Sequence, residues 1–225
     1  MSAVDGLSDE ALLERCGKIA SSTWSDAMDS LGLGGLVEGL TQRGGQGRAV
    51  GFAVTAQQVA GEFGQFDRSE FGVGKLVDAA RPGTMLMVTS NGAVVSSMGG
   101  IAALAASKQG ATGVVIDGAC RDVDEIAATG LWMATRHVTP RTGKTRLSLV
   151  EMGGSVLVGG IRVTAGDLVV ADDTGIVVIP RGRIAEVLAA AEKALAVDEA
   201  VEGGVRAGKP FAEAAAAANY LPAAG

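Results

Sequence analysis

Cysteine and histidine are almost missing from this 225-residue chain, which holds only Cys16, Cys120 and His137. A zinc centre of cysteines and histidines needs several such ligands at short spacing, and a disulfide framework needs paired cysteines, so both are excluded. Basic charge is also in short supply. The 19 Lys+Arg against 25 Asp+Glu leave a net charge of -6, whereas a DNA or RNA binder needs a basic face, so nucleic acid is disfavoured as a partner. No uninterrupted apolar run reaches the ~18 residues of a membrane span. The opening Met1-Ser-Ala-Val-Asp-Gly lacks a basic stretch followed by an apolar one, so no signal peptide is expected. Together these absences lead to the expectation of a reduced, cytoplasmic, soluble domain.

What the chain has in excess is glycine, 34 residues without a collagen period. Dispersed among Val, Ile and Ala runs, they suggest tight turns between short strands and close backbone approaches. With 48% hydrophobic residues the chain can bury a proper core. It shows neither repeats nor a linker, which argues for one domain over residues 1–225.

Helical spacing covers Ser8 to about Leu31, with a second start at Ser22-Thr23 and an end at Gly32-Gly35. A buried strand is expected from Gly47 to Val59, a helix from Phe71 to Ala80 closed by Arg81-Pro82-Gly83, and a strand over Met85–Thr89. Val94-Val95 reads as a strand end. Gly99-Gly100 opens an Ala-rich helix over Ile101–Ala106, and Val114–Asp117 is a buried strand turned by Asp117-Gly118. Asp122 starts another helix, and Trp132–His137 is again a strand. This β-α-β-α-β rhythm argues for a parallel α/β core. After Pro140 the apolar runs at 156–158, 161–163, 168–170 and 176–179 suggest a meander or second sheet. Helices are expected from Arg181 to about Val201, broken by Gly203-Gly204, and from Phe211 to Asn219.

Two phosphate-loop likenesses fail. Gly143-Lys144-Thr145 has Val138 where the first glycine must stand, and Gly72-Val73-Gly74-Lys75 is followed by Leu76, which offers no hydroxyl. The strongest local signal is Asp117-Gly118-Ala119-Cys120-Arg121-Asp122. It follows a buried strand and precedes a helix, where open α/β sheets gather ligands. An Arg next to an Asp supplies a cationic fork and a metal-binding carboxylate. The alternative is a capping box, with Asp122 as cap and Glu125 three residues on. Bare amides at Gly99-Gly100 could hold a carboxylate or a phosphate, or simply pack closely. The cluster Arg136, His137, Arg141, Lys144 and Arg146 reads as an anion site, a Schiff-base lysine or a solvated loop. Cys120 could be activated by the neighbouring arginine, or be a small buried residue.

Gly99-Gly100, the Ala-rich helix and the run from Gly110 to Ile126 with Asp117-Gly-x-x-Arg121-Asp122 resemble the RraA-like family, which includes 4-hydroxy-4-methyl-2-oxoglutarate aldolases and regulators of RNase E activity. Ser22–Asp29, Arg81-Pro-Gly and Gly166–Pro180 are similar to its other signatures, so the likeness spans about residues 20–210. The resemblance implies an α/β fold of the swivelling β/β/α type, with N-terminal helices and a C-terminal helical arm, assembled as a homotrimer or hexamer with sites between subunits. It implies that Asp122 holds Mg2+ or Mn2+ largely through waters, and that Arg121 contacts the oxygens of a small 2-keto acid. The backbone of Gly99, Gly100, Ile101 and Ala102 would bind the pyruvate carboxylate. Glu199 of a neighbouring C-terminal helix would approach the site, with Glu202 as the other candidate.

Aldolases of this group usually carry an acidic residue at the position that is Gly100 here, a departure that favours oxaloacetate decarboxylation over aldol cleavage. Cleavage next to a carbonyl leaves an enolate, which a Lewis-acid metal and a fixed arginine stabilise. The expectation is therefore a metal-dependent lyase releasing pyruvate. Its alternatives are a non-catalytic interaction protein like the RNase regulators and an imine-forming aldolase using Lys144.

Overall fold

The computed structural model describes residues 6–220, so the segment read above for a signal peptide lies largely outside the described residues. Helices α1 (Asp9–Cys16) and α2 (Ser21–Ser30) come first, and Ser8 caps α1 by accepting the Ala11 N–H at 3.2 Å. Strands β1 (Leu36–Val37), β2 (Thr41–Gly44) and β3 (Ala49–Ala60) follow, then a 3-10 turn at Arg68–Phe71 and helix α3 (Val73–Asp78). The central run is β4 (Thr84–Thr89), β5 (Ser96–Met98), α4 (Gly100–Lys108), β6 (Gly113–Cys120), α5 (Val123–Ala128) and β7 (Trp132–Val138). The remainder is β8 (Leu147–Met152), β9 (Ser155–Val158), β10 (Ile161–Thr164), β11 (Leu168–Ala171), β12 (Ile176–Ile179), α6 (Ile184–Arg206) and α7 (Phe211–Ala217).

The main sheet runs β1-β12-β11-β3-β4-β6-β7-β2, with β5 added on β6 and β8 on β3. Its centre, β3-β4-β6-β7, is parallel, as the alternation of strands and helices requires. These strands are apolar on both faces. Leu86, Val88, Val114 and Ile116 pack under α3, α4 and α5, while Met85, Met87 and Val115 face the opposite core. Val156, Val158 and Val163 of the separate β9-β10 hairpin close that second core. A third core sets Cys16, Trp24 and Met28, with Val187 and Leu188 of α6, against Leu168 and Val170 of β11.

Several expectations are corrected. Strands β11 and β12 extend the main sheet, pairing Leu168–Ala171 with Phe52–Ala49, and only β9-β10 stand apart. Strands β1, β2 and β8 are additional to the expected elements: β1 is only two residues long and β2 (Thr41–Gly44) has no apolar side chain, whereas β8 (Leu147–Met152) is mostly apolar. Helix α6 passes through Gly203-Gly204 to Arg206. A Cβ at Gly204 would stand 2.9 Å from the Ala214 Cβ, so that glycine serves the close return of α7.

The expected turn at Asp117-Gly118 does not form, since β6 continues to Cys120. Buried Asp117 accepts two hydrogen bonds from Arg136, at 2.6 and 3.1 Å, and one from the Gly159 N–H at 2.8 Å. Gly159 is left-handed, at φ +53°, and a Cβ there would stand 2.5 Å from Val37 Cγ1. Burial opposes the charge on Asp117, but the bonds from Arg136 and Gly159 outweigh it and hold its carboxyl below the usual carboxylate range. Arg136 is thereby committed to a structural clamp between β6, β7 and the hairpin.

A carboxyl whose folded pKa is lowered contributes stability that is complete above its unfolded pKa, about 3.9, and is lost as pH falls through the folded value. Asp117→Asn is expected to weaken the protein by about 1.5–3 kcal/mol near neutrality, and the deficit should shrink in acid below about pH 4. Urea-unfolding midpoints of both proteins across that range are the measurement. Equal midpoints at neutral pH would deny the clamp its role.

Candidate functional site

The parallel strands end where the site begins. After Cys120 the chain leaves the sheet, and the Arg121 N–H donates to the Met98 carbonyl at 3.1 Å, tying this corner to the end of β5. Asp122 then adopts a left-handed conformation, φ 56° and ψ 49°. Aspartate visits that region more readily than bulkier residues.

The turn sends the Asp122 carboxylate away from its own helix. The expected capping box is absent, as α5 has no side-chain cap, and Asp122 Oδ2 instead accepts the Gly100 N–H, at the start of α4, at 3.3 Å. The Arg121 Nε lies 3.2 Å from the same oxygen. Both side chains are only partly exposed, 38% and 36%, so the pair is neither sealed in the core nor dissolved in water.

The start of α4 completes the arrangement. Gly99 is its N-cap and supplies no side chain, so the first amides of the helix lack the acceptors that a preceding turn would provide. The Gly100 N–H goes to Asp122, and Ile101 and Ala102 come next. Gly99 is bare because a Cβ there would collide with Asp122 Oδ2 and stand 3.0 Å from Arg121 Nε. At Gly100 a Cβ would collide with the Glu125 carboxylate and stand 2.5 Å from the Glu125 Cβ. Glu125, the far half of the expected capping box, stands instead on the first turn of α5, against the start of α4.

Gly99, Ile101, Ala102, Arg121 and Asp122 all line a cavity of about 380 Å³. Its other walls are Phe71 with one face of α3, the β5 segment from Ser96 to Met98, and the Thr142–Lys144 loop. Val73, Val77 and Ala105 make much of it apolar. Ser97 is fully buried in its wall, and its Oγ has no hydrogen-bond partner among the described residues. The described residues hold no group of three or more His, Cys, Asp and Glu side chains arranged to take a metal.

The remaining candidates separate. Of the basic cluster, only Lys144 lines the cavity. Arg136 is held by Asp117, and Arg146 lies 4.6 Å above the Phe63 ring. Burial pushes the Cys120 thiol up, so it is a packed side chain at the end of β6 and not an activated nucleophile. Cys16 is pushed up to about 12 by the same cause. Glu199 is exposed on α6 and does not meet Arg121 and Asp122 within one chain, while Glu202 pairs with Arg206 in a cleft between α6 and α7. No helix among the described residues is long and apolar enough to cross a membrane.

The chain is similar to known proteins over this whole framework. A protein of Halalkalibacterium halodurans, provisionally named a 4-hydroxy-4-methyl-2-oxoglutarate aldolase, is 30% identical over 188 residues, covering 83% of this chain and 85% of that protein. The crystal structure of an uncharacterised Pseudomonas syringae protein superposes with TM-score 0.80 at 26% identity, covering 91% of this chain and 96% of that one. That of Streptomyces coelicolor RraAS2, described as an unusual member of the RNase ES inhibitor RraA family, gives TM-score 0.75 at 24% identity over 84% and 94% of the two chains. The fold is therefore the α/β fold of RraA proteins. A family model described as RraA-like, Aldolase/RraA, matches residues 21–178, from the start of α2 to the last strand of the sheet, and the chain belongs to that family.

Proposed function

We propose that the protein is a lyase that breaks a carbon–carbon bond of a small 2-keto acid and releases pyruvate. The observation that carries this reading is the Arg121–Asp122 pair, 3.2 Å apart, set against the uncapped start of α4 at the mouth of a largely apolar cavity. The name of the Halalkalibacterium halodurans relative supports it.

The donor set beside α4 suits a divalent ion. Asp122 offers a partly exposed carboxylate, and Gly99 leaves open the space beside its Oδ2 that a Cβ would fill. One carboxylate with room for waters fits Mg2+ or Mn2+, which retain several waters when bound. Such an ion, held by Asp122, would act as a Lewis acid toward the keto oxygen.

The chain's own groups do the rest. The amides of Ile101 and Ala102 receive the substrate carboxylate, which the positive end of α4 favours. Arg121 places fixed positive charge beside the oxygen that becomes anionic as the bond breaks. The apolar walls from α3 and α4 exclude water, which strengthens both interactions. Lys144 in the cavity wall keeps the imine route as the alternative chemistry.

The site reads as one that lies between subunits. Ile101 is 82% exposed and Leu104, one turn along the same face of α4, is 48% exposed. Apolar side chains standing so free beside a cavity suit an assembly in which a neighbour covers them. In a homotrimer or hexamer the exposed Glu199 of a neighbour's α6 would be the added acidic group.

The deciding assay measures pyruvate release from oxaloacetate and from 4-hydroxy-4-methyl-2-oxoglutarate in magnesium, with and without chelator. Turnover that chelator abolishes is expected. Turnover that survives chelator, with a borohydride-trapped adduct on Lys144, would support the imine route. No turnover of any keto acid, with metal-independent inhibition of a ribonuclease, would favour the interaction-protein reading. Arg121→Ala should lower turnover about a hundredfold or more, and Asp122→Ala should remove activity and metal response together. Gly99→Ala keeps a permitted backbone, φ -130°, yet displaces the carboxylate. It should lower turnover by up to about a hundredfold with an unchanged circular-dichroism spectrum.

A further inference from the structure

The Arg121–Asp122 pair and the start of α4 form only one part of the cavity, and the rest of its lining bears on what lies beyond the reacting carbons. Pyruvate has six heavy atoms. Even at the ~30 Å³ each that a water molecule takes up in the liquid, they fill less than half of the 380 Å³ available. Past the charged pair the lining becomes apolar. Ala102 and Ala105 lie a turn apart on one face of α4, and Val73 and Val77 lie a turn apart on one face of α3, which packs against α4. All four also belong to the core between these helices and the sheet, which fixes the shape of this trough. Phe71 adds a ring to the wall. A Cβ on Gly143 would collide with that ring, so the ring lies directly on the backbone of the Thr142–Lys144 loop.

Apart from Arg121 and Asp122, the charged residues of the lining are Asp78 and Lys144, both exposed. Their charges are opposite, so this part of the lining has no net charge with which to draw in a second carboxylate. A carboxylate laid on the apolar wall would lose water without gaining a fixed partner, whereas an alkyl or phenyl group there gains from leaving water.

We infer that the substrate is a 4-hydroxy-2-oxo acid whose C4 carries a short alkyl or phenyl group in place of a second carboxylate, and that this group lies in the trough between α3 and α4. The inference rests on the lyase reading above and names the substrate class of that same site. With the carboxylate at the start of α4 and the keto oxygen beside Arg121, the C4 substituent falls on Val73, Val77, Ala105 and Phe71. Cleavage breaks the C3–C4 bond. The C4 hydroxyl loses its proton and becomes the carbonyl of an apolar aldehyde, while the electron pair of the broken bond passes to the C2 oxygen as the enolate of pyruvate. A proton taken up at C3 completes pyruvate, so the products together hold the atoms of the substrate and no oxidant or reductant is consumed.

The full chain with Mg2+ is assayed for pyruvate release from 4-hydroxy-2-oxopentanoate, 4-hydroxy-2-oxoheptanoate, 4-hydroxy-2-oxo-4-phenylbutanoate, 4-hydroxy-4-methyl-2-oxoglutarate and oxaloacetate. Each buried CH2 is worth about fourfold. From the pentanoate to the heptanoate kcat/KM should therefore rise about tenfold, and the heptanoate and the phenyl acid should each exceed the glutarate by about tenfold or more. Ala105→Leu keeps a good helix former and fills the trough without touching Arg121 or Asp122. It should erase the advantage of the heptanoate over the pentanoate, while oxaloacetate decarboxylation changes by no more than about threefold. Val77→Thr sets a hydroxyl in the wall at nearly constant volume and should lower the heptanoate-to-pentanoate ratio at least about threefold. The wild-type series decides the matter without either variant. A glutarate cleaved more efficiently than every apolar acid, or no rise from pentanoate to heptanoate, would overturn the assignment while leaving the lyase reading intact. A wild-type protein inert toward all five acids would overturn both.

Discussion

The site depends on a close approach of two chain segments, the start of α4 and the turn between β6 and α5. That approach is possible because residues 99 and 100 have no side chains. A Cβ at the first would sit on the Asp122 carboxylate, and one at the second would sit on that of Glu125. Two acidic groups thus reach the amino end of a helix belonging to another βα unit, where the unpaired amides and the helix dipole favour negative charge. The same bareness keeps the next amides of α4 open toward the cavity.

Two Arg–Asp pairs stand on or just beyond β6, and their surroundings give them different work. Asp117 is buried, takes three hydrogen bonds and has its carboxyl held low, so its charge is spent on joining β6 to β7 and the β9-β10 hairpin. Breaking such a pair strands a charge in the core, which makes it structural. Asp122 lies five residues on, beyond the end of the strand, and its pair with Arg121 is more than a third exposed. A pair held this loosely adds little stability, and its charges remain available to a ligand. The inner pair holds the end of β6 in place, and the outer pair uses that placement.

The acidic balance of the chain agrees with this division of labour. A net charge of -6 repels anions in general, so an anionic ligand of the proposed kind would have to be drawn in locally. Arg121, Lys144 and the start of α4 are gathered around one cavity, while Arg136 and Arg146 are occupied elsewhere.

Much of this was legible in the chain. The apolar runs of β4, β6, β11 and β12 gave buried strands, Gly99-Gly100 gave a helix start, and Arg121-Asp122 gave the candidate pair, because burial on both faces and missing side chains leave local marks in a sequence. Tertiary structure decided the rest. A capping box and a turn were the local choices at Asp122 and Asp117-Gly118, yet Asp122 turned to Gly100 and β6 ran on because Arg136 and Gly159 could satisfy a buried carboxylate. Gly203-Gly204 looked like a helix end until α7 folded back on it. The approach of Glu125 to Gly100 was likewise invisible, since local pattern records which face of an element is buried and not which distant side chain will fill the space left there.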